Sequence, residues 1–574
     1  LDFGPWTLDF GPWTLDFGLW TLNGWPGCVV RKKLASLVLL HSLFCAAGWG
    51  GQKFDLVVYG ATAGGVMTAV SGARQGLKVA LLEPRDHVGG MVTGGLSRTD
   101  FGRKEVIGGM ALEFFWRAGN HYDLRRYAQD AAWHVEPGVA ENILKQMLKE
   151  AGVTVLYRHR LREKSGVRKA GARVAEIFME NGASFDAQAF ADCTYEGDLM
   201  AQAGVSYTWG RESSVQYDEP LAGVREKTPQ HQFTVRIPAY DENGKLLPEV
   251  APGPMGEPGT GDRKVQAYNF RLILSSDPAN QAPFPRPDNY NPKRYALLAR
   301  LLKALTEKNG RPPWLNEVTL PALIPNNKAD FNNNGAFSTD YIGGSWEYPE
   351  AGYRHREQIW QAHVDYVAGF FYFLANDPQI PAELRKEVNR WGLAKDEFPD
   401  TNHWPHQLYI REARRMIGEY VMTQKDLQRE RAKPDPIGMG SYNSDSHNVQ
   451  RVVTREGLVT NEGDMQVPVE PYQIPYRILL PKRKEAENLL VPVCVSASHV
   501  AYSTLRMEPQ YMILGQAAGV AARMAIEAGK PVQEIDTAEL TRRLRTQGAI
   551  LEYAPSPHSA LFSRFRQTFK SAGY

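Results

Sequence analysis

The sequence predicts an α/β fold in which a discontinuous domain on a parallel sheet carries a large inserted α+β domain. Three observations point there. Residues 54–91 read FDLVVYGATAGGVMTAVSGARQGLKVALLEPRDHVGGM: an apolar run, a Gly-rich turn, a helical stretch, and a second apolar run ending in an acid. From about residue 205 the composition shifts toward Pro, Gly, Asn and aromatics, most strongly at 246–262 and 311–350. From 485 the first pattern returns, as strand-like LLVPVCV at 489–495 and helix-like LGQAAGVAARMAIEAG at 514–529. The sheet domain is therefore expected at 52–204 and 481–531, the insertion at 205–480, and a helical tail at 532–574.

The N-terminal segment stands apart. LDFGPWT occurs at 1–7 and 8–14, and LDFGLWT at 15–21. The period is seven, but Gly, Pro and Trp in each copy exclude a coiled-coil heptad. Residues 1–27 are expected to be a disordered extension. Residues 28–48 carry a secretory signal pattern: Arg31-Lys32-Lys33, an apolar core from Leu34 to Cys45, then small Ala46, Ala47 and Gly48. The apolar run is too short to span a bilayer, so the protein is expected to be secreted or periplasmic without stable membrane insertion. A net charge of +2 gives no electrostatic reason for a nucleic-acid partner. Past the signal segment only Cys193 and Cys494 remain, with no CxxC, so an iron–sulfur cluster is excluded. The pair reads either as two buried thiols, the plainer expectation, or as one disulfide.

Within the first segment each piece has a physical role. Leu56 to Tyr59 is a buried strand. Gly60 opens a tight turn, and Gly65 allows the following helix to pack closely on the strand. The central glycine of the G-x-G-x-x-G pattern is Thr62, a departure that Gly64 partly offsets; Ala63 completes the turn. The helix puts Val66, Ala69, Val70 and Ala73 on one face and ends at Gly76. Leu77 to Leu82 is the second strand, and it delivers Glu83, 23 positions after Gly60, near the spacing of an acid that binds an adenosine ribose. This is the grammar of a Rossmann-like dinucleotide cradle. Pro84, Arg85 and the later Gly89-Gly90-Met91 point to FAD rather than a nicotinamide. Further on, helices are expected at 110–130 and 138–151, a strand at Val153 to Tyr157, a hairpin in 161–190, and a strand at Phe190 to Thr194. In the insertion, helices are expected at 355–375 and 405–424.

Seven blocks in order carry a resemblance: GATAGG (60–65), VGGMVTGGLSRTDFG (88–102), DCTYEGDL (192–199), NNNGAFSTDYIGG (332–344), HWPHQLYIREARRM (403–416), MGSYNSDSHNVQR (439–451) and SASHVAYSTLRMEPQYMILGQAAG (496–519). In these the chain resembles the FAD-dependent oxidoreductase family with a glutathione-reductase-type nucleotide domain. More narrowly, it resembles large secreted bacterial members, some labelled xanthan lyase-like. The resemblance spans roughly 53–550. It implies FAD contacts at the first two blocks and near Arg506 to Gly519, where a helix N-terminus meets the flavin. A helix beginning near Gly515 would offer free N–H groups to a flavin carbonyl, with Gln516, Ala517 and Ala518 beside it.

Flavin supplies the redox chemistry, which leaves the protein to position substrate and accept a proton. Three polar clusters are candidates. The first holds His403, His406 and Arg411, with Trp404, Tyr409 and Arg414. The second is Tyr442, Asp445 and His447. The third is His499, Arg506 and Glu508. His403 and His406 lack further ligands in sequence, so no metal is expected. Tyr195, Glu196 and Asp198 follow a strand whose loop gathers at the ligand edge. Asn332 to Asn334 read either as sugar-binding amides or as turn formers. The reading as a whole is a secreted FAD-dependent oxidoreductase that takes hydride from a small polar molecule, a carbohydrate among the candidates, and passes electrons to an unknown acceptor. A flavin-containing lyase or isomerase without net redox is the alternative, with a non-catalytic binding protein on a vestigial nucleotide fold as a third.

Overall fold

The computed structural model describes residues 51–127 and 129–555. The heptapeptide repeat, the signal pattern and the end of the C-terminal tail lie outside the described residues. Strands β1 (Gln52–Tyr59), β2 (Val79–Leu82) and β3 (Thr154–Leu156) run parallel, with β1 in the middle of the nucleotide sheet. The antiparallel ribbon β4 (Val167–Ala170) and β5 (Arg173–Phe178) leads into β6 (Ser184–Asp192), which lies parallel on the other side of β1. The order is β3-β2-β1-β6-β5-β4, and the late strand Leu489–Leu490 pairs with β6. The sheet is thus completed by chain from beyond the insertion. The expected hairpin arm at 184–190 and the strand at 190–194 are one strand, because β6 stays paired with β1 from Phe185 to Asp192.

Helix α1 (Ala63–Arg74) buries Val66, Met67, Ala69 and Val70 against the sheet. Helix α2 (Gly109–His121) is shorter than its apolar pattern suggests; the chain turns out of it at Asp123, which has positive φ. Helix α3 (Pro137–Ala151) starts on a proline, whose missing N–H costs nothing there, and stops at left-handed Gly152.

The insertion contains a five-stranded antiparallel sheet of β7 (Leu272–Ser275), β8 (Gln281–Ala282), β9 (Thr319–Ile324), β10 (Lys328–Asn333) and β11 (Gly392–Ala394), in the order β9-β10-β7-β11-β8. The long helix α4 (Tyr353–Asn376) packs on it, with Phe371 against Phe331 at 6.0 Å between ring centroids. The helix expected at 405–424 is absent; this segment is largely irregular. The cause is its charge. Arg411, Glu412, Arg414 and Arg415 are all buried, and each finds different partners, which an extended chain can supply and one helical face cannot.

Two helices follow the return to the nucleotide sheet, α5 (His499–Leu505) and α6 (Glu508–Ala528). Helix α6 therefore begins seven residues before the expected start at Gly515. Gly515 lies inside the helix, at its crossing with α1: a Cβ there would sit 2.1 Å from the Gly64 carbonyl oxygen, and one at Gly519 would sit 2.6 Å from the Thr68 oxygen. The small residues serve a close helix–helix contact. Because the obstacle at Gly515 is backbone, Gly515→Ala is expected to destabilise the protein by about 1–3 kcal/mol, read as a lower urea midpoint than wild type.

Candidate active site

The β1–α1 turn is built so that backbone closes on backbone. Gly60 has φ of +93°, and a Cβ there would meet the Thr194 nitrogen at 2.8 Å; a Cβ at Gly65 would lie 1.9 Å from the Gly60 oxygen. Thr62 replaces a glycine at no conformational cost, since its φ is −59°. Its Oγ1 accepts the Gly65 N–H at 3.2 Å and donates to the Cys193 carbonyl at 2.7 Å, capping α1 and tying it to the end of β6. The Gly89 N–H donates to the Ala61 carbonyl at 2.6 Å, bringing the second glycine pair under the turn. Gly90 leaves room for Tyr195: a Cβ would lie 2.4 Å from its hydroxyl. The glycines at 60, 65, 89 and 90 thus let the turn, the end of β6 and the second glycine pair close on one another, since a Cβ at each would strike protein atoms.

Glu83 sits at the centre of this cradle. Its Oε2 accepts the Ala61 N–H at 2.8 Å and its Oε1 the Arg85 N–H at 2.9 Å. Burial nevertheless pushes its carboxyl up to about 7. Beyond it, Pro84 and Arg85 line a cavity of about 420 Å³ with Tyr59, Thr194, Glu196 and Trp360. The Arg85 guanidinium stacks over Trp360 at 3.9 Å.

At the other end, the segment entering α6 gathers unpaired polar atoms. Tyr195 donates to Glu508 Oε1 at 2.7 Å and accepts the Met91 N–H at 2.9 Å. Arg506 Nε, Glu508 Oε2 and both amide atoms of Gln510 are buried without a hydrogen-bond partner among the described residues. Burial raises the Glu508 carboxyl to about 8, so at neutral pH it carries a proton and can donate. Donors and acceptors left open at one helix N-terminus suit the polar edge of a flavin ring. The cradle and this cluster together fit FAD. The residues expected to face the flavin shift accordingly: Gly515, Ala517 and Ala518 pack in the helix interior, and Gln516 accepts the Met110 N–H and donates to Gln547.

Beside the α6 entry lies a cavity of about 270 Å³ lined by Asp100, Arg271, Asn333, Tyr442, Asp445 and His447 among others. Arg506 connects the two, donating to the Asp445 carbonyl at 2.8 Å and to Tyr409 at 3.2 Å. Tyr442 donates to Asp445 at 3.3 Å. His447 Nδ1 is 2.7 Å from Asp340 Oδ2, and Asp340 Oδ1 accepts from Arg411 at 2.8 Å. Burial, with Asp445 adding to it, pushes the Asp100 carboxyl up to about 6. Arg271 is neutralised by a two-point pair with Asp330 at 2.7 and 2.8 Å.

The three sequence clusters thus separate. Tyr442, Asp445 and His447 line this cavity, Arg506 bonds to the Asp445 carbonyl and Tyr409 beside it, Arg411 backs it through Asp340, and Glu508 sits at the adjoining helix start. His406 instead stacks on His87 at 3.9 Å in a groove beside Trp404, and His403 lies 3.1 Å from the Glu397 carbonyl. His499 is buried near the Arg415–Glu212 pair. Sequence reasoning missed Asp340, Asp100 and His231; the first two lie inside the resemblance blocks at 332–344 and 88–102, which was the available signal. Asn334 is a turn former, its Oδ1 taking the Gly335 N–H, whereas Asn333 Oδ1 is buried and unpaired. Cys193 and Cys494 are buried free thiols. The acids Glu136, Asp396 and Glu397 converge on the Lys328 ammonium, a cation the chain itself provides.

A Gly-rich βαβ cradle, a ribose-placed acid and a polar helix terminus beside a substrate-sized cavity define a flavin-dependent redox enzyme. The match along the chain agrees: a family model described as FAD dependent oxidoreductase covers residues 55–544, and the chain belongs to that family. FAD is its cofactor. Among solved structures it resembles THI4 from Thermovibrio ammonificans, at 16% identity over 33% of this chain and 78% of that one, with a TM-score of 0.21. It also resembles L-proline dehydrogenase from P. horikoshii, at 13% identity over 34% and 63%, with a TM-score of 0.22. A third is thioredoxin reductase from T. acidophilum, at 19% identity over 25% and 35%, with a TM-score of 0.15. The chain spans less than two thirds of the last two. Scores of this size carry no argument about chemistry. The search among curated proteins found no match. Among the described residues no helix is long and apolar enough to cross a membrane.

Glu83 joins the turn and the Arg85 backbone at a single carboxylate. Glu83→Ala is expected to weaken FAD binding by roughly ten- to a hundredfold, from the loss of the two hydrogen bonds that hold the Ala61 and Arg85 backbone, measured by flavin fluorescence titration of apoprotein. Glu508 gives a pH signature. Between about 4.5 and about 8 the native state holds a proton that the unfolded chain releases, so apoprotein stability falls as pH rises through that window. Glu508→Gln is expected to remove that contribution, up to about 1.4 kcal/mol per pH unit, read by comparing urea midpoints of the two proteins at pH 5 and pH 8 (roughly the two ends of the window).

Proposed function

We propose that this enzyme dehydrogenates a small polyhydroxylated molecule, of which a monosaccharide is the model, and that it works outside the cytoplasm. The observation that carries the substrate class is the lining of the 270 Å³ cavity beside the α6 entry. Asp100, Asp445 and the unpaired Asn333 Oδ1 supply acceptors for hydroxyl protons, and Tyr442 supplies a hydroxyl of its own. Arg271 is already paired, whereas Arg98 on the same wall has no salt bridge among the described residues, so a carboxylated sugar fits this lining as well as a neutral one. The volume suits one small molecule held by a few convergent polar groups. Arg506 ties this cavity to the helix start where the flavin edge fits, which supports oxidation of a carbon bound there. The extracellular setting rests on the pattern at 28–48.

Anaerobic mixing of FAD-loaded enzyme with glycerol, sorbitol, glucose, glucuronate and a set of amino acids tests the reading. Bleaching of the yellow flavin band by one of the hydroxylated compounds is expected. Bleaching by amino acids alone overturns the substrate class. Conversion of a sugar while the flavin stays oxidised throughout, with no acceptor present, favours the redox-neutral lyase or isomerase.

A further inference from the structure

Four histidines stand as sequence candidates for a base, and the structure gives them four different surroundings. His406 is occupied by its stack on His87 and lies in the groove with Asp400 and Trp404. His403 sits on the Glu397 carbonyl. His499 lies near Glu212 and Arg415 and lines no cavity described above. His447 alone combines a buried carboxylate behind it with a cavity in front.

From this arrangement we infer that His447 is the proton acceptor of the dehydrogenation, held in its accepting tautomer by Asp340 as a positioning residue. The inference rests on the cavity being the substrate site. An ionised carboxylate only accepts hydrogen bonds, so the ring nitrogen 2.7 Å from Asp340 must carry the proton. The other nitrogen, Nε2, then has a free lone pair, and it lies 3.9 Å from Asp445 Oδ1 at the cavity wall. Asp340 is itself fixed. Burial alone would push its carboxyl up, yet Arg411 and His447 hold it well below the usual carboxylate range. Arg411 spans from Asp340 to the Ala267 carbonyl, and the His447 backbone N–H donates to Gln266 Oε1 at 3.0 Å. Burial and Arg411 together lower the imidazole to about 4, so it stands neutral, with Nε2 unprotonated, across ordinary working pH. The His231 ring lies nearly parallel to His447, with 6.1 Å between centroids, and also lines the cavity.

The step balances as follows. The substrate O–H bond breaks and its proton goes to His447 Nε2. The electron pair left on oxygen forms the C=O bond as the C–H bond breaks, its hydrogen leaving with two electrons to oxidised FAD. The alcohol is oxidised to a carbonyl and FAD is reduced, with no further reactant. The imidazolium that results faces Asp340 on one side and Asp445 on the other. This is the orienting logic of an acid behind a histidine.

Two measurements decide it. In FAD-loaded enzyme with nitrogen-labelled histidine, the nuclear magnetic resonance pattern of His447 is expected to show the Nδ1–H tautomer, disturbed in the isosteric Asp340→Asn variant. An Nε2–H tautomer in the unaltered enzyme overturns the inference whether or not a substrate is known. With the hydroxylated compound that bleaches the wild-type flavin, His447→Ala and His447→Gln are expected to slow flavin reduction by roughly 10²- to 10⁴-fold while FAD affinity holds. Added imidazoles should restore the rate of the Ala variant in order of their basicity. A variant that reduces its flavin at the wild-type rate overturns the inference, and so does one whose loss no imidazole repairs. Failure of every hydroxylated compound with the wild-type enzyme would instead remove the substrate reading, leaving the tautomer to judge the dyad.

Discussion

The crossing of α6 over α1, where Gly515 meets the Gly64 backbone, sets the position of everything else in the site. Helix α1 starts at the nucleotide turn, and α6 starts at Arg506 to Gln510. Pressing the two together at glycines brings the turn and the polar helix terminus, more than 440 residues apart in the chain, into one cleft. Ser71 adds a direct tie by donating to the Gln516 carbonyl at 2.8 Å. With a side chain at this crossing the helices would have to separate, and the two ends of the cofactor site would move apart with them.

The insertion is fastened to this frame by charge rather than by apolar contact alone. Asp198, just after β6, accepts from Arg356 of α4 and from Arg414, each at 2.7 Å. Burying such ions carries a desolvation cost that the pairing offsets only when the geometry is complete. The two arginines fill both oxygens of one carboxylate and also reach nearby carbonyls, so it is complete here. The result is a rigid connection between α4, which roofs the cavity at Arg85, and the 403–416 segment, which supplies Arg411 behind Asp340.

How far the sequence revealed this depends on the range of each interaction. The βαβ unit was legible because strand, turn, helix and acid are contiguous, and each leaves its own local mark from Leu56 to Glu83. Thr62 looked like damage to the motif; its cap on Gly65 is a local bond that a threonine at that spacing does signal. The start of α6 was misread because Gly515, Ala518 and Gly519 look alike whether they admit a ring or another helix. Only the partner helix distinguishes the two. The 405–424 segment failed as a helix for a related reason: its arginines answer to partners such as Asp198, Glu212 and Asp340, all distant in sequence. The same holds for His447. Its local neighbours Tyr442 and Asp445 were visible, but the carboxylate that gives it a role lies 107 positions away.

The unpaired atoms bear on the choice between a working enzyme and an inert relic of the fold. Arg506 Nε, Glu508 Oε2, both amide atoms of Gln510 and Asn333 Oδ1 are all buried without a hydrogen-bond partner among the described residues. A buried polar atom that finds no partner costs roughly 1–3 kcal/mol. A fold that merely persisted would gain stability from apolar replacements at these positions. A polar ligand held in the cleft can take up such bonds. Binding that satisfies them favours the native state by mass action. The open polar atoms at the start of α6 therefore couple the stability of this region to what it binds.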